Sequence, residues 1–300
     1  MRFTANDAEK MRNSRLILGT VQMGIDYGIS NKSGRISEEQ AFEILKCAWE
    51  SGIRVLDTAE AYGKAHEVIG NFHATYPQMS FNVITKLPAD YEHSVAQKIA
   101  SYLKELNLQR LDTLMFHSFD SYQNSSDIQK LNELKREGVI QKVGVSVYTN
   151  AQLEVVIDDP NIDCIQLPYN ALDNRAQRGA LISKAKKQGK EIHTRSCYLQ
   201  GLFFMPLDSE KVIVQRLQRE LNQFHSIVSE SNRKIQDVAL GYCVENKEID
   251  HILIGVDSKK QLQENLDGLK EEIQKEMVNK LEQIIVEDTD LLNPSLWNRI

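Results

Sequence analysis

Short apolar runs and amphipathic stretches alternate along the whole chain. The runs are LILGT (16–20), RVLDT (54–58), NVITK (82–86), TLMFH (113–117), KVGVS (142–146), CIQLP (164–168), EIHTR (191–195) and HILIG (251–255). Runs of this length, bounded by polar residues, predict buried strands. Between them, EEQAFEILKCAWESG (38–52) sets Phe42, Leu45 and Trp49 on one helical face, and VAQKIASYLKELN (95–107) does the same with Ile99, Leu103 and Leu106. DIQKLNELKREG (127–138) closes on basic residues and a glycine, a helix stop, and AQLEVVIDD (151–159) and RGALISKAKKQG (178–189) repeat the pattern. Continuous apolar strands separated by helix-sized segments predict a parallel sheet covered on both faces. Eight such units in about 250 residues predict an α/β fold of the closed (β/α)8 TIM-barrel type. An open doubly wound sheet would place a GxGxxG turn after its first strand, and GTVQMGIDYGISNKSG (19–34) is not one.

The spacing is even except before the eighth run. There, 202–250 reads as a loop, LFFMPLDSE (202–210), then helices over about 209–229 and about 236–246, and 258–286 reads as one or two more helices. With no linker or low-complexity stretch, residues 1–300 read as one domain, and 1–14 as an irregular N-terminal extension.

Composition narrows the function. A chain of 300 residues that is 41% hydrophobic can bury a large core. A net charge of −6 and a pI near 5.7 argue against nucleic acid as a partner, and the basic stretch SKAKKQGK (183–190) reads as the solvated end of a helix. The N-terminus lacks a signal-peptide core and no run is long enough to span a membrane. Cys47, Cys164, Cys197 and Cys243 are scattered without CxxC spacing, which predicts neither disulfides nor a bound metal and fits a reducing cytoplasm.

The chemistry lies at the ends of the runs. Six consecutive strands end in Asp57, Lys86, His117, Ser146, Gln166 and Arg195, groups that ionise or hydrogen-bond. Taken singly, Asp57 reads as a turn cap, Lys86 as a snorkelling rim residue, His117 as a satisfied core histidine and Tyr62 as packing. In a barrel all these ends face one point, the usual floor of the active site. A buried Lys86 needs a counter-charge, and Asp57 is on the adjacent strand. A phenol beside an ammonium has its pKa lowered, so Tyr62 is expected to serve as a proton donor tuned by Lys86, with His117 donating to the oxygen of the bound carbonyl or relaying a proton. No side chain supplies a hydride, so a nicotinamide cofactor is expected.

DTAEAYG (57–63), ITK (84–86) and MFH (115–117) resemble the active-site motifs of the aldo-keto reductases. The resemblance runs from LILGTVQMG (16–24) through YGKAHEVIG (62–70), GVS (144–146), IQLPYNALD (165–173) and RSCYLQG (195–201) to Glu264–Asn265. It implies a (β/α)8 barrel that binds NAD(P)H without a Rossmann fold. By position, Asp57, Tyr62, Lys86 and His117 match the catalytic tetrad, and Ser146 and Gln166 match residues that hold the nicotinamide carboxamide. Ser196 and Gly201 fall in the loop over the pyrophosphate. Ser258, Lys259, Glu264 and Asn265 fall in the segment GVDSKKQLQEN (255–265) that matches the adenosine site. Asn170, four residues beyond Gln166, reads either as a ligand of the cofactor or as a turn support.

Three positions leave the family pattern. Val147 replaces a frequent asparagine, Arg195 stands where a tyrosine often stacks under the nicotinamide, and Asp257 stands where an arginine often binds the 2′-phosphate. Arg195 is open to three roles: stacking, holding the cofactor diphosphate, or binding an anionic substrate. NADPH is the cofactor the resemblance puts first. Asp257 argues for NADH, and Lys259 and Lys260 argue against it. The expected substrate is a small carbonyl compound. Loops carrying Tyr27, Phe119, Tyr122, Phe203 and Phe204 among many hydroxyl and amide groups suit a polar, sugar-like one, although these aromatics read equally as core. The rival readings are a Lys86 Schiff-base lyase or aldolase, which needs Lys86 unpaired, and a cofactor-binding regulatory barrel.

Overall fold

In the computed structural model, which describes residues 5–29, 31 and 34–299, each apolar run forms a strand. They are Leu16–Gly19 (β1), Val55–Asp57 (β2), Asn82–Leu87 (β3), Leu111–Phe116 (β4), Ile140–Ser146 (β5), Cys164–Pro168 (β6), Glu191–Arg195 (β7) and His251–Ile254 (β8). All pairings are parallel and follow chain order, and β8 pairs back with β1 through Leu16↔Ile252 and Leu18↔Ile254, closing an eight-stranded barrel. Because side chains alternate across a strand, half of each run faces inward. Ile17, Ile84, Met115 and Cys164 form an apolar plug in the barrel interior, with Val55 and Leu253 against it. The outward half, including Leu18, Leu56, Val83, Leu114, Val143, Ile165 and Ile192, packs in the shell shared with the helices.

That alternation positions the site. Two residues beyond Val55, Ile84, Met115 and Cys164 on the same inward face come Asp57, Lys86, His117 and Gln166. The polar ends therefore sit one step above the plug, at the C-terminal mouth. Helices start where capping side chains satisfy their first amides. Ser37, Ser94 and Thr149 form reciprocal capping boxes with Gln40, Gln97 and Gln152. The expected helices are present as Glu38–Glu50, Val95–Glu105, Ile128–Arg136, Asn150–Ile157 and Arg175–Lys187, and 258–286 holds two, Lys259–Gly268 and Lys275–Glu282. Among the described residues no helix is long and apolar enough to cross a membrane.

Two expectations are corrected. The stretch expected as one helix over about 209–229 is two, Val212–Arg216 and Gln218–Glu230, meeting at the buried Leu217. The N-terminal extension is not irregular, for Ala5–Asn13 is helical, while residues 1–4 lie outside the described residues. It lacks an apolar stripe and is held through polar contacts. Arg12 donates to the Leu269 carbonyl, and Asn13 Nδ2 donates to the Ser51 carbonyl at 2.9 Å, each at the end of a barrel helix.

The N-terminal pole of the barrel carries its own ionic cluster. Glu191 accepts from His193 Nε2 at 2.8 Å and pairs with Lys142 Nζ at 2.7 Å, while the His193 and His251 rings meet edge to face at 5.0 Å. Burial, and then the neighbouring His193, push the His251 pKa down from 6.5 to about 4, with Glu191 opposing. Between pH 6.5 and 4 the unfolded chain takes up a proton at this residue that the folded chain does not, so acidification through that window favours unfolding. At lower pH Glu191 adds to the loss. Burial acts to raise its pKa, but hydrogen bonds from His193 and Lys142 outweigh it and hold the carboxyl down to about 2. The thermal midpoint should therefore fall from pH 7 to pH 4.5. His251→Gln should remove part of that fall, worth about 3 kcal/mol at most. Equal pH sensitivity in the two proteins would refute the assignment.

Candidate active site

A cavity of about 630 Å³ opens at the C-terminal mouth, and Asp57, Tyr62, Lys86, His117, Ser146, Gln166 and Arg195 all line it. Lys86 and Asp57 are each about 2% exposed and form a direct ion pair, and Lys86 Nζ also donates to the Thr58 carbonyl at 3.0 Å. The other Asp57 oxygen accepts from Gln166 Nε2 at 2.8 Å, a contact that bridges the barrel interior from β6 to β2. Asp57 is thus the hub of the floor, with each oxygen committed. Burial lowers the Lys86 pKa and Asp57 opposes that shift.

Tyr62 ends a short 3-10 turn, Glu60–Tyr62, just after β2. Its ring centroid lies 5.2 Å from Lys86 Nζ, and the His117 ring stands edge to face against it at 5.9 Å. Gly24 fixes this turn from below, because a Cβ there would fall 1.5 Å from the Tyr62 carbonyl oxygen. Gly63 lets the chain leave the turn at φ +56°. The phenol departs from expectation in one respect. Its pKa is raised, first by burial and then by the Asp57 carboxylate. Arg195 is a cation that acts to lower it, against those two effects. Burial and then Lys86 push His117 down to about 4, so its ring is neutral at physiological pH.

The loop after β7 forms the upper wall. Ser196 has φ +63°, and Leu199, Gln200 and Gly201 follow at +46°, +52° and +90°. Left-handed backbone is costly for residues with a Cβ and persists where surroundings enforce it. Here Asn170 Nδ2 donates to the Ser196 carbonyl at 3.1 Å, and Tyr198 Oη donates to Asn265 Oδ1 at 2.9 Å. Gln200 Nε2 reaches Tyr27 Oη at 3.0 Å, joining this loop to the one after β1. Asn170 also accepts from the Leu172 and Asp173 amides, so it is a turn support.

Of the residues expected at the cofactor, Ser196, Gly201, Glu264 and Asn265 line the cavity. Ser258 and Lys259 stand off its wall. Ser258 caps the helix Lys259–Gly268 by accepting from the Gln261 amide at 3.2 Å, and Lys259 is exposed. Asp257 and Gln261 line the cavity in their place. Among the loop aromatics only Tyr27 and Phe204 reach it. Phe119 is buried, Phe203 stacks on Phe224 at 4.4 Å, and Tyr122 is tied to Asp159 at 2.7 Å. The structure adds Gln22, Tyr148, Tyr198 and Gln236 to the wall. None carries a local signal in the sequence, because each arrives from a loop or helix end whose path is set by distant contacts. One group among the described residues could meet a metal ion, Glu191, His193 and His251, with ligand atoms within 4.8 Å of one another. It lies at the opposite pole, where Lys142 already neutralises Glu191.

Comparison with known proteins agrees with this geometry. The profile of the Aldo/keto reductase family matches residues 15–286, and the chain belongs to that family, a class of oxidoreductases acting on carbonyl compounds. The NADH-specific methylglyoxal reductase of Escherichia coli (strain K12) is 24% identical over 296 residues, covering 85% of this chain and 90% of that protein. The D-threo-aldose 1-dehydrogenase of a Pseudomonas species is 24% identical over 193 residues, covering 51% of this chain and 59% of that protein. Among solved structures, the holo form of aldo-keto reductase AKR11C1 from Bacillus halodurans superposes with a TM-score of 0.75 at 20% identity, covering 92% of this chain and 94% of that one. The glycerol dehydrogenase AKR11B4 of Gluconobacter oxydans gives 0.69 at 17% identity, covering 90% of each chain. Both share the barrel.

Proposed function

We propose that this protein reduces an aldehyde or ketone to an alcohol, with Tyr62 as the proton donor and a nicotinamide dinucleotide as the hydride source. The observation that carries this reading is the convergence of Asp57, Lys86, Tyr62 and His117 at one end of the cavity. The cavity walls suit a dinucleotide. Gln22 Oε1 and Asp257 Oδ1 are buried acceptors without partners, which call for donors such as ribose hydroxyls or amide N–H groups. Ser146 and Gln166 would hold the carboxamide. The amide of Gln166 is already oriented through Nε2 by Asp57, which leaves its oxygen to accept. Bound there, the nicotinamide supplies hydride to the carbonyl carbon.

The remaining chemistry belongs to the chain. Tyr62 Oη gives its proton to the carbonyl oxygen as negative charge develops on it. Its raised pKa keeps the phenol protonated at neutral pH, and neutral His117 donates an N–H to the same oxygen. Lys86, held as an ammonium by Asp57, stabilises the phenolate left behind. The same pairing opposes a Schiff base, which needs a free amine. Titration of NADH and NADPH by fluorescence, followed by a screen of keto-sugars and aldehydes for loss of absorbance, tests the proposal. Binding of both weaker than about 1 mM would defeat it.

The adenosine end favours NADH over the NADPH that the family resemblance puts first. Asp257 is half-buried on the wall with one oxygen unpartnered, suited to a ribose 2′-hydroxyl and repulsive to a 2′-phosphate. Lys259 and Lys260 are exposed off that wall, Lys260 facing Glu264 at 3.9 Å. The Escherichia coli relative is named NADH-specific. NADH should bind at least tenfold more tightly than NADPH, and Asp257→Ser should narrow the gap. Tighter binding of NADPH by the unaltered protein would reverse the assignment.

A further inference from the structure

We infer that Arg195 is an anion anchor for the substrate, and that this enzyme takes carbonyl compounds carrying a carboxylate or phosphate group. The inference rests on the reductase reading and concerns the same cavity. Arg195 ends β7 and lines the cavity beside the tetrad. Its guanidinium lies flat on Tyr148, with Cζ 4.0 Å from the ring centroid, and its Nη2 donates to the Val147 carbonyl at 3.1 Å. Those two contacts fix the orientation of the group and use one of its five N–H donors.

Among the described residues no carboxylate forms an ion pair with Arg195, and Asp173, whose pKa it acts to lower, is paired with Arg178. The buried cations nearby are compensated. Lys86 has Asp57, and Arg178 holds Asp173 through two bonds of 2.6 and 2.8 Å. Asp57 is engaged at both oxygens, by Lys86 and by Gln166, and forms no ion pair with Arg195. The cavity's other acids, Asp257 and Glu264, belong to the segment after β8. Burial raises the Asp257 pKa and Gln261 opposes the shift, and neither acid forms an ion pair with Arg195. The reacting end therefore carries one unbalanced positive charge: Asp57 and Lys86 cancel, and Arg195 remains.

That charge is felt at three of the four tetrad residues. Arg195 acts to lower the pKa values of Tyr62, Lys86 and His117 together, so its field points into the space where a substrate must sit. A guanidinium with free donors in a fixed plane matches a carboxylate or phosphate through paired hydrogen bonds. A neutral aldehyde would leave those donors unused.

The test compares matched substrates with cofactor saturating: D-glucuronate against D-glucose, and D-glyceraldehyde 3-phosphate against D-glyceraldehyde. In each pair the members differ chiefly in the anionic group, and the two pairs separate carboxylate from phosphate. In at least one pair the anionic member should have a kcat/KM at least tenfold higher, carried by KM and weakened by added salt. Arg195→Met should bring the ratio toward one, and Arg195→Lys should keep part of it. Calorimetry gives a readout independent of turnover. L-gulonate or glycerol 3-phosphate should bind at least tenfold more tightly than sorbitol or glycerol, with that advantage lost in Arg195→Met. Neutral members equal or better in both pairs would overturn the inference. So would a ratio unchanged in Arg195→Met while the NADH Kd rises, which would assign Arg195 to the cofactor diphosphate. If no nicotinamide binds and no carbonyl is reduced, the reductase reading itself fails, and calorimetry still reports on anion binding.

Discussion

Tyr62→Phe should lower kcat by about 10²- to 10⁴-fold, the range for losing a positioned general acid, while the cofactor Kd stays within a fewfold of its original value. The ring contributes contacts that phenylalanine keeps, the edge-on meeting with His117 and the face toward Lys86 Nζ. The hydroxyl alone carries the exchangeable proton. The pH dependence sharpens the test. With the phenol pKa raised and His117 neutral above about pH 4, kcat/KM of the unaltered enzyme should be flat across the neutral range. Retention of most of the activity by Tyr62→Phe would remove Tyr62 from the proton-donor role and move attention to His117.

Lys86→Met should affect both function and stability. It leaves the Asp57 carboxylate about 2% exposed with only the Gln166 amide as a partner. Breaking a buried pair from one side costs about 3–5 kcal/mol, whereas replacing both members is far cheaper. Asp57→Asn with Lys86→Met should therefore recover much of the lost thermal stability and none of the activity. Activity should fall at least 100-fold in both proteins, since neither keeps the cation that stabilises a Tyr62 phenolate. Unchanged stability in the single variant would show that the pair is not desolvated as the structure has it. Borohydride treatment in the presence of a carbonyl substrate should trap no adduct at Lys86, and a trapped adduct would restore the Schiff-base reading.

Much of the barrel is legible in the chain because the signals are local. Val55 and Leu56 lead into Asp57, Val83 and Ile84 precede Lys86, and period-two alternation puts Asp57 and Lys86 on the face that bears Val55 and Ile84. The capping serines and threonine with their glutamines mark helix starts in the same local way. The N-terminal helix was not legible, because what holds it is two hydrogen bonds to helix ends far along the chain. The two helices meeting at Leu217 read as one because both sides of the joint follow the same helical pattern.

By itself the sequence determined that eight strands would close into a parallel barrel and that Asp57, Lys86, Tyr62 and His117 would converge at its mouth, since strand period and hydrophobic run length are properties of neighbouring residues. Only the tertiary structure decided what those groups experience. It committed both oxygens of Asp57 through Lys86 and Gln166 and raised the Tyr62 pKa where a lowered one was expected. It also put Asp257 and Gln261 on the cavity wall in place of Ser258 and Lys259, and left Arg195 stacked on Tyr148 without an ion-pair partner among the described residues. Burial and electrostatic pairing depend on which distant segments meet, and no local pattern in the chain encodes that.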